Sequence, residues 1–156
     1  DFLSAQALAL HKARLGFTNV VFHQQFEGPV GYFTLANDAI KLNDSEKFEL
    51  GFGEQVELAA FPAVKIGRLA VHQDLHRKGV GVVLMTLLLG DILNTAGLFA
   101  ARLIVVDADN DDAVLRFYEK LGFETSLWAE EMARNHTKKR AKPQTIKMHR
   151  DVFKGL

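Results

Sequence analysis

The sequence predicts an α/β layered fold around a mixed sheet. Two observations carry that reading. Segments with apolar residues at helical spacing alternate with short strand-like runs along the chain, and Leu103-Ile104-Val105-Val106 is apolar at every position, a buried-type strand. Size agrees: 156 residues, 48% hydrophobic and 24% charged, suit one domain over residues 1–156 that buries a single core without staples.

The elements follow in order. Phe2 to Leu15 places Leu3, Ala7, Leu10 and Leu15 near helical spacing and stops at Gly16. Val20-Val21-Phe22 reads as a strand, Gly28-Pro29 as a turn and Val30 to Leu35 as a second strand, which makes a hairpin. Residues 43–60 are open: Asn43-Asp44-Ser45 can cap a short helix, while Gly51 and Gly53 suggest a loop. Pro62 opens a long strand, Ala63 to His72. A polar turn, Gln73 to Lys78, leads to Gly79-Val80-Gly81 and a helix to about Ala96, with Val80, Leu84, Leu87, Leu88 and Ile92 on one side. After Gly97, Ala101 to Asp107 is the buried-type strand, and Asp109 to Asp112 caps a helix over Ala113 to Leu121. Gly122 ends that helix, Phe123 to Leu127 reads as a strand, and Thr145 to Phe153 as the last one.

Composition excludes several classes. Without cysteine there is no disulfide framework, Cys-ligated zinc, iron–sulfur cluster or thiol nucleophile. No HExxH, EF-hand loop or paired-carboxylate motif is present, so no metal is expected. The longest strongly apolar run, Val80 to Leu89, is far short of the roughly 20 residues that span a bilayer, so no membrane partner is expected. No charged-then-apolar signal peptide opens the chain, and the expected location is the cytoplasm. The first residue is Asp1 rather than Met, so a natural start preceding it is expected.

The turn at Arg77-Lys78-Gly79-Val80-Gly81 is a physical recipe for holding an anion. It follows a strand and opens a helix, whose first amides are unpaired and whose dipole is positive there. Gly79 and Gly81 let a phosphate approach the backbone, and Arg77 and Lys78 add charge. The same glycines would also serve plain helix packing. The pattern lacks the Gly-Lys-Ser/Thr of a Walker A loop, and Leu84 stands where a dinucleotide fingerprint has its third glycine. A phosphate-bearing ligand held in neither of those modes is the expectation.

Ile66-Gly67-Arg68-Leu69-Ala70-Val71 followed by His76 to Gly81 resembles the core of the GNAT superfamily of acetyl-CoA-dependent N-acetyltransferases, whose signature is Gln/Arg-x-x-Gly-x-Gly/Ala. Asp107-Ala108-Asp109-Asn110 and Arg116-Phe117-Tyr118-Glu119-Lys120-Leu121-Gly122-Phe123 match the family's second half. The resemblance covers 62 to about 125, with weaker similarity from Phe2 to Leu42. Two departures stand out: His76 replaces Gln or Arg, and Asn110 lies one residue further from Tyr118 than in many relatives.

The resemblance implies a mixed central sheet flanked by helices, with two parallel strands splayed to admit the pantetheine arm of acetyl-CoA. Carried onto this chain, those strands are Lys65 to His72 and Leu103 to Asp107. The cofactor-binding positions are then Leu69, Ala70, Val71, His76, Arg77, Lys78, Gly79, Val80, Gly81 and Asn110. A primary amine would attack the thioester directly through a tetrahedral intermediate, and Tyr118 would give the leaving thiolate its proton. A phenol on a helix suits that role, and a core tyrosine between Phe117 and Leu121 is the plainer alternative. Glu54, Glu57, His72 and Asp107 all stand as candidate bases, and Arg68 as either an acceptor-orienting or an outward-facing charge. His11, His23, His136 and His149 lack ligand spacing and read as surface or packing residues.

Phe2 to Gly16, Gly31-Tyr32-Phe33-Thr34-Leu35 and Gly67 to Val71 also resemble a subgroup that includes toxins acetylating the amino acid on charged tRNA. That subgroup has a first strand before the segment that starts here, so the first strand is expected to be missing. Charge distribution bears on such an acceptor. Lys+Arg and Asp+Glu are both 19, yet Met132 to Arg150 holds seven bases (Arg134, Lys138, Lys139, Arg140, Lys142, Lys147, Arg150) and no acid. The 19 bases less those 7 leave 12 against 19 acids, or −7, over the rest. The basic arm reads either as a solvated loop or as a patch for tRNA or an acidic protein. A non-catalytic CoA-binding module is the alternative to an enzyme, and the resemblance admits a homodimer.

Overall fold

A computed structural model describes residues 2–95, 100–136 and 142–155. Six strands, β1 (Phe17–Phe22), β2 (Pro29–Ile40), β3 (Phe61–Val71), β4 (Leu103–Asp109), β5 (Glu124–Thr125) and β6 (Thr145–Asp151), form a mixed sheet in the order β1-β2-β3-β4-β6-β5. A π-helical turn over Leu3–Ala7 leads into α1 (Leu8–Lys12); α2 is Asp44–Glu49, α3 Val80–Asn94, α4 Asp112–Lys120 and α5 Leu127–His136. The chain gathers into two compact units, Asp1–Asn37 with Lys65–Ala100 and Asp38–Val64 with Ala101–Leu156; β2 and β3 run through both.

In the first unit, β1 and β2 are the expected antiparallel hairpin, paired from Phe17 against Leu35 to Val21 against Gly31, with a register shift at Val21/Phe22. Gly31 is required by close approach. A Cβ there would lie 2.5 Å from both the Ala70 carbonyl oxygen and Leu84 Cδ1, so β2, β3 and α3 meet at this residue. Gly31→Ala should therefore destabilise the protein by about 1–3 kcal/mol, the cost of overpacking against backbone. Thermal unfolding of the variant checks it. The packed face of α3 is Leu84, Met85, Leu88 and Ile92, all buried, whereas Leu87, expected there, is 46% exposed. Met85 takes its place because the i, i+1, i+4, i+8 stripe, not i+3, faces inward here.

The second unit holds a core of Ile40, Leu42, Phe61, Ala63, Leu103 and Val105, against which Leu50 and Phe52 pack. All four residues of Leu103 to Val106 are buried, as a fully apolar strand requires. Residues 43–60 resolve into a capped helix and a loop. Asn43 Oδ1 accepts from the Glu46 amide and Glu46 Oε2 accepts from the Asn43 amide, a capping box for α2. The strand expected over Phe123 to Leu127 is only Glu124–Thr125; Leu127 instead begins α5, which the sequence reading lacked. Glu46 explains the difference. Its Oε1 accepts from the Leu127 amide at 2.8 Å and its Oε2 from the Trp128 amide at 3.3 Å, so a carboxylate from α2 caps α5. Ser126 Oγ adds a further cap by accepting from the Ala129 amide.

β6 pairs antiparallel with β4 over its whole length, Leu103 against Asp151 to Asp109 against Thr145, and carries β5 on its other side. At its end Arg102 holds Asp151 in a two-pronged ion pair, Nε to Oδ1 at 2.9 Å and Nη2 to Oδ2 at 2.8 Å. That pairing lowers the Asp151 pKa and raises that of Arg102, in each case chiefly through the hydrogen bond between them.

Candidate functional site

In the first unit, Leu69, Ala70 and Val71 form the half-buried end of β3, which runs directly into the turn over residues 72–79, the candidate anion cradle. His72 caps a single 3₁₀ turn, Gln73–Leu75, its Nδ1 accepting from the Asp74 amide at 3.3 Å, and its ring meets Phe26 edge-on at 5.0 Å. His76 donates from Nε2 to the Val71 carbonyl at 2.9 Å. Arg77 then takes φ +60° and Gly79 φ +81°, two left-handed residues that turn the backbone into α3. Arg77 pays for that conformation with about 1 kcal/mol of strain. At Gly79 the conformation itself demands glycine, since a Cβ would meet nothing within 4 Å.

Gly79 is the N-cap of α3 and brings no side chain to it. The Val82 and Val83 amides return to the Gly79 carbonyl at 3.1 and 3.3 Å, while those of Val80 and Gly81, at the first helical positions, have no intrahelical acceptor. Two unpaired amides, the positive end of a 15-residue helix, open space over Gly79 and exposed Arg77 and Lys78 fit a diphosphate.

In the second unit, Tyr118 sits in the last turn of α4, whose start is capped by Asp111 Oδ1 accepting from the Ala113 and Val114 amides. The helix stop fixes the tyrosine. Gly122, at φ +84°, lets the Phe123 amide donate to the Tyr118 carbonyl at 3.0 Å and its own amide to the Glu119 carbonyl at 2.9 Å. This is a Schellman motif, whose apolar contact is made by the rings of Tyr118 and Phe123, edge-on at 5.3 Å. Phe117 flanks the phenol at 5.1 Å, and Tyr118 is buried. Burial, seconded by the negative charge of Asp109, pushes its pKa up to about 12, so the phenol keeps its proton throughout the neutral range.

Asn110 closes the end of β4: its amide donates to the Gln144 carbonyl at 2.9 Å and its Nδ2 to the Pro143 carbonyl at 2.8 Å, so that side-chain donor is engaged within the chain. Among the candidate bases, Asp107 pairs with Lys147 at 2.9 Å, His72 is engaged by Asp74, and Glu54 and Glu57 are exposed ahead of β3. Arg68 lies over the Phe2 ring at 4.3 Å, held by a cation–π contact. His149 is a packing residue of an unexpected kind: buried, it donates from Nε2 to Glu46 Oε1 at 3.1 Å.

The basic arm does not form one element. Arg134 is on α5 and pairs with Glu130 at 3.2 Å; Lys147 and Arg150 belong to β6. Arg150 donates to the carbonyls of Leu121, Asp151 and Lys154, which makes it a structural residue. Lys138, Lys139 and Arg140 lie outside the described residues, and Lys142 precedes β6. Among the described residues no group of three His, Cys, Asp or Glu side chains could hold a metal ion, and no helix is long and apolar enough to cross a membrane.

A family model described as an acetyltransferase (GNAT) domain matches residues 20–125. No curated protein matches the chain by sequence comparison. Among solved structures, AtaT complexed with acetyl-methionyl-tRNAfMet is similar at a TM-score of 0.73 and 16% identity, over 97% of this chain and 79% of that one. A bacterial toxin matches at 0.73 and 14%, over 97% and 75%. A tyrosine-to-phenylalanine mutant of KacT matches at 0.66 and 17%, over 94% and 78%. At these identities the likeness shows the fold.

Proposed function

The chain belongs to the GNAT acetyltransferase family, and on that premise we propose that it moves the acetyl group of acetyl-CoA to a primary amine by direct attack. The observation that carries the reading is the start of α3: two amides without an intrahelical acceptor, a left-handed glycine and two exposed bases, continuous with β3. The diphosphate is held there by Val80, Gly81, Arg77 and Lys78, while the backbones of Leu69 and Val71 pair with the pantetheine arm. Ala70 and Gly79 contribute backbone and space. Asn110, whose side-chain donor is already engaged, contributes at most its remaining oxygen.

Tyr118 acts on the leaving sulfur. As the amine bonds to the acetyl carbon and the C–S bond breaks, the electron pair goes to sulfur and the phenol donates toward it. A phenol raised to about 12 holds its proton more tightly than a thiol at about 8.5. Tyr118 therefore favours stabilising the developing thiolate by a strong hydrogen bond over early, complete transfer. We assign the proton lost by the amine to water: Asp107 is paired with Lys147, Nδ1 of His72 accepts from the Asp74 amide, and Glu54 and Glu57 lie in an exposed loop.

Aminoacyl-tRNA is the acceptor we propose to try first. AtaT, complexed with acetyl-methionyl-tRNAfMet, shares this fold, and this chain carries seven bases without an acid from 132 to 150, of which Arg134, Lys147 and Arg150 are engaged within the chain. An acetyl-CoA-consumption assay over charged tRNA, polyamines, amino acids and peptides tests both levels. Consumption with charged tRNA alone, abolished by deacylating it, is the expected result. Consumption with another amine retains the acetyltransferase reading and rejects the acceptor.

A further inference from the structure

We propose that His76 is a positioning residue, whose imidazole locks the end of β3 to the anion-binding turn and which acts through the backbone without touching phosphate. The inference rests on the reading that this turn takes the diphosphate of acetyl-CoA. Nε2 of His76 lies 2.9 Å from the Val71 carbonyl oxygen. A carbonyl can only accept, so Nε2 carries a hydrogen, and the group at this position serves as an N–H donor. The bond spans five residues and closes over the 3₁₀ turn between them.

Its place in the chain gives it leverage. The next residue, Arg77, is left-handed without being glycine, a conformation that persists only where its surroundings over-determine it. The His76 amide donates to the Gln73 carbonyl at 3.2 Å and the His72 ring accepts from the Asp74 amide, but both bonds stay inside the turn. The His76 side chain reaches back to β3 itself. On one side of this bond is Val71, whose backbone the proposed function uses for the pantetheine arm. On the other are the amides of Val80 and Gly81, used for the diphosphate. Both ends of one extended ligand are thus referred to a single imidazole.

The test compares His76→Gln, which keeps a neutral side-chain N–H, with His76→Leu, which keeps bulk and loses the donor. Acetyl-CoA is titrated calorimetrically into both variants and the wild-type protein at about pH 6 and pH 8, either side of the ordinary imidazole range. His76→Leu should weaken acetyl-CoA about five- to tenfold, the effect of losing one hydrogen bond, and raise its KM without lowering kcat at saturation. His76→Gln should stay within about twofold of wild type, by the same ratio at both pH values. A wild-type advantage that appears only at the lower pH would mean that a charged ring contacts phosphate, and overturns the proposal, as does unchanged binding by His76→Leu. Should wild-type protein not bind acetyl-CoA, the parent reading fails, and the lock is still read in free protein. NMR shifts of the Gly79, Val80 and Gly81 amides should then move in His76→Leu and hold in His76→Gln; no movement in His76→Leu overturns it.

Discussion

Tyr118→Phe should lower kcat by about 10²- to 10⁴-fold, the range for losing a positioned proton donor, and leave acetyl-CoA affinity within about twofold. The variant keeps its fold because the contacts that hold the residue are made by the ring and the backbone. The edge-on packing with Phe117 and Phe123 survives, and so do the bonds of the helix stop at Gly122. Steady-state kinetics with saturating acetyl-CoA read the effect as one on kcat alone. The pH profile adds a signed expectation. A donor works while protonated, so activity is lost as pH rises through its pKa. At about 12 that loss lies beyond the ordinary tyrosine value of about 10. The kcat of wild-type protein should therefore show no descending limb from this group between about pH 7 and 10.

Glu46→Ala should destabilise the protein by about 3–5 kcal/mol, the cost of removing one member of a buried, hydrogen-bonded network. Glu46 is 3% exposed and its carboxylate accepts from four donors: the amides of Asn43, Leu127 and Trp128, and Nε2 of His149. Alanine would leave all four without their acceptor and remove the carboxylate part of both caps, leaving Asn43 Oδ1 on α2 and Ser126 Oγ on α5. A fall in Tm of roughly 10 °C is the expected readout, at about 2–4 °C per kcal/mol for a chain of this size. Glu46→Gln keeps an acceptor oxygen and should fall between the two. A loss under about 1 kcal/mol for Glu46→Ala would show that water replaces the carboxylate without cost.

The same glutamate marks where the sequence stops being legible. The hairpin, the long β3, the buried β4 and the helix after the glycine turn all follow from local signals: Gly28-Pro29, a β-branched run, and Gly79 before an apolar helix. The candidate anion cradle is local in the same way, since it is proposed from consecutive residues. The stop of α4 was legible too, because Gly122 is a local signal, although its consequence for the Tyr118 ring is visible only in three dimensions. In contrast, α5 takes its cap from Glu46, about 80 residues earlier in the chain, and no local reading anticipates that. One signal was available: Ser126 followed by Ala129-Glu130-Glu131-Met132-Ala133-Arg134 is a capping residue before strong helix formers. The basic arm is a related case. A run of like charges says nothing about which members are tied down, and Lys147 and Arg150 are tied by Asp107 and by backbone carbonyls.

Acetyl-CoA titrated into wild-type protein and into Gly81→Glu asks whether the start of α3 holds the diphosphate. Gly81 is the second residue of α3, where an acidic side chain ordinarily stabilises a helix by about 0.3–1 kcal/mol, and circular dichroism establishes that the variant is folded before it is titrated. The substitution sets a carboxylate against the diphosphate, a repulsion of several kcal/mol at about 4 Å near a protein surface. Saturable binding to wild-type protein, weakened at least about 100-fold in a folded Gly81→Glu, is the predicted result. Equal affinity in the two proteins would contradict the assignment of the diphosphate to the start of α3.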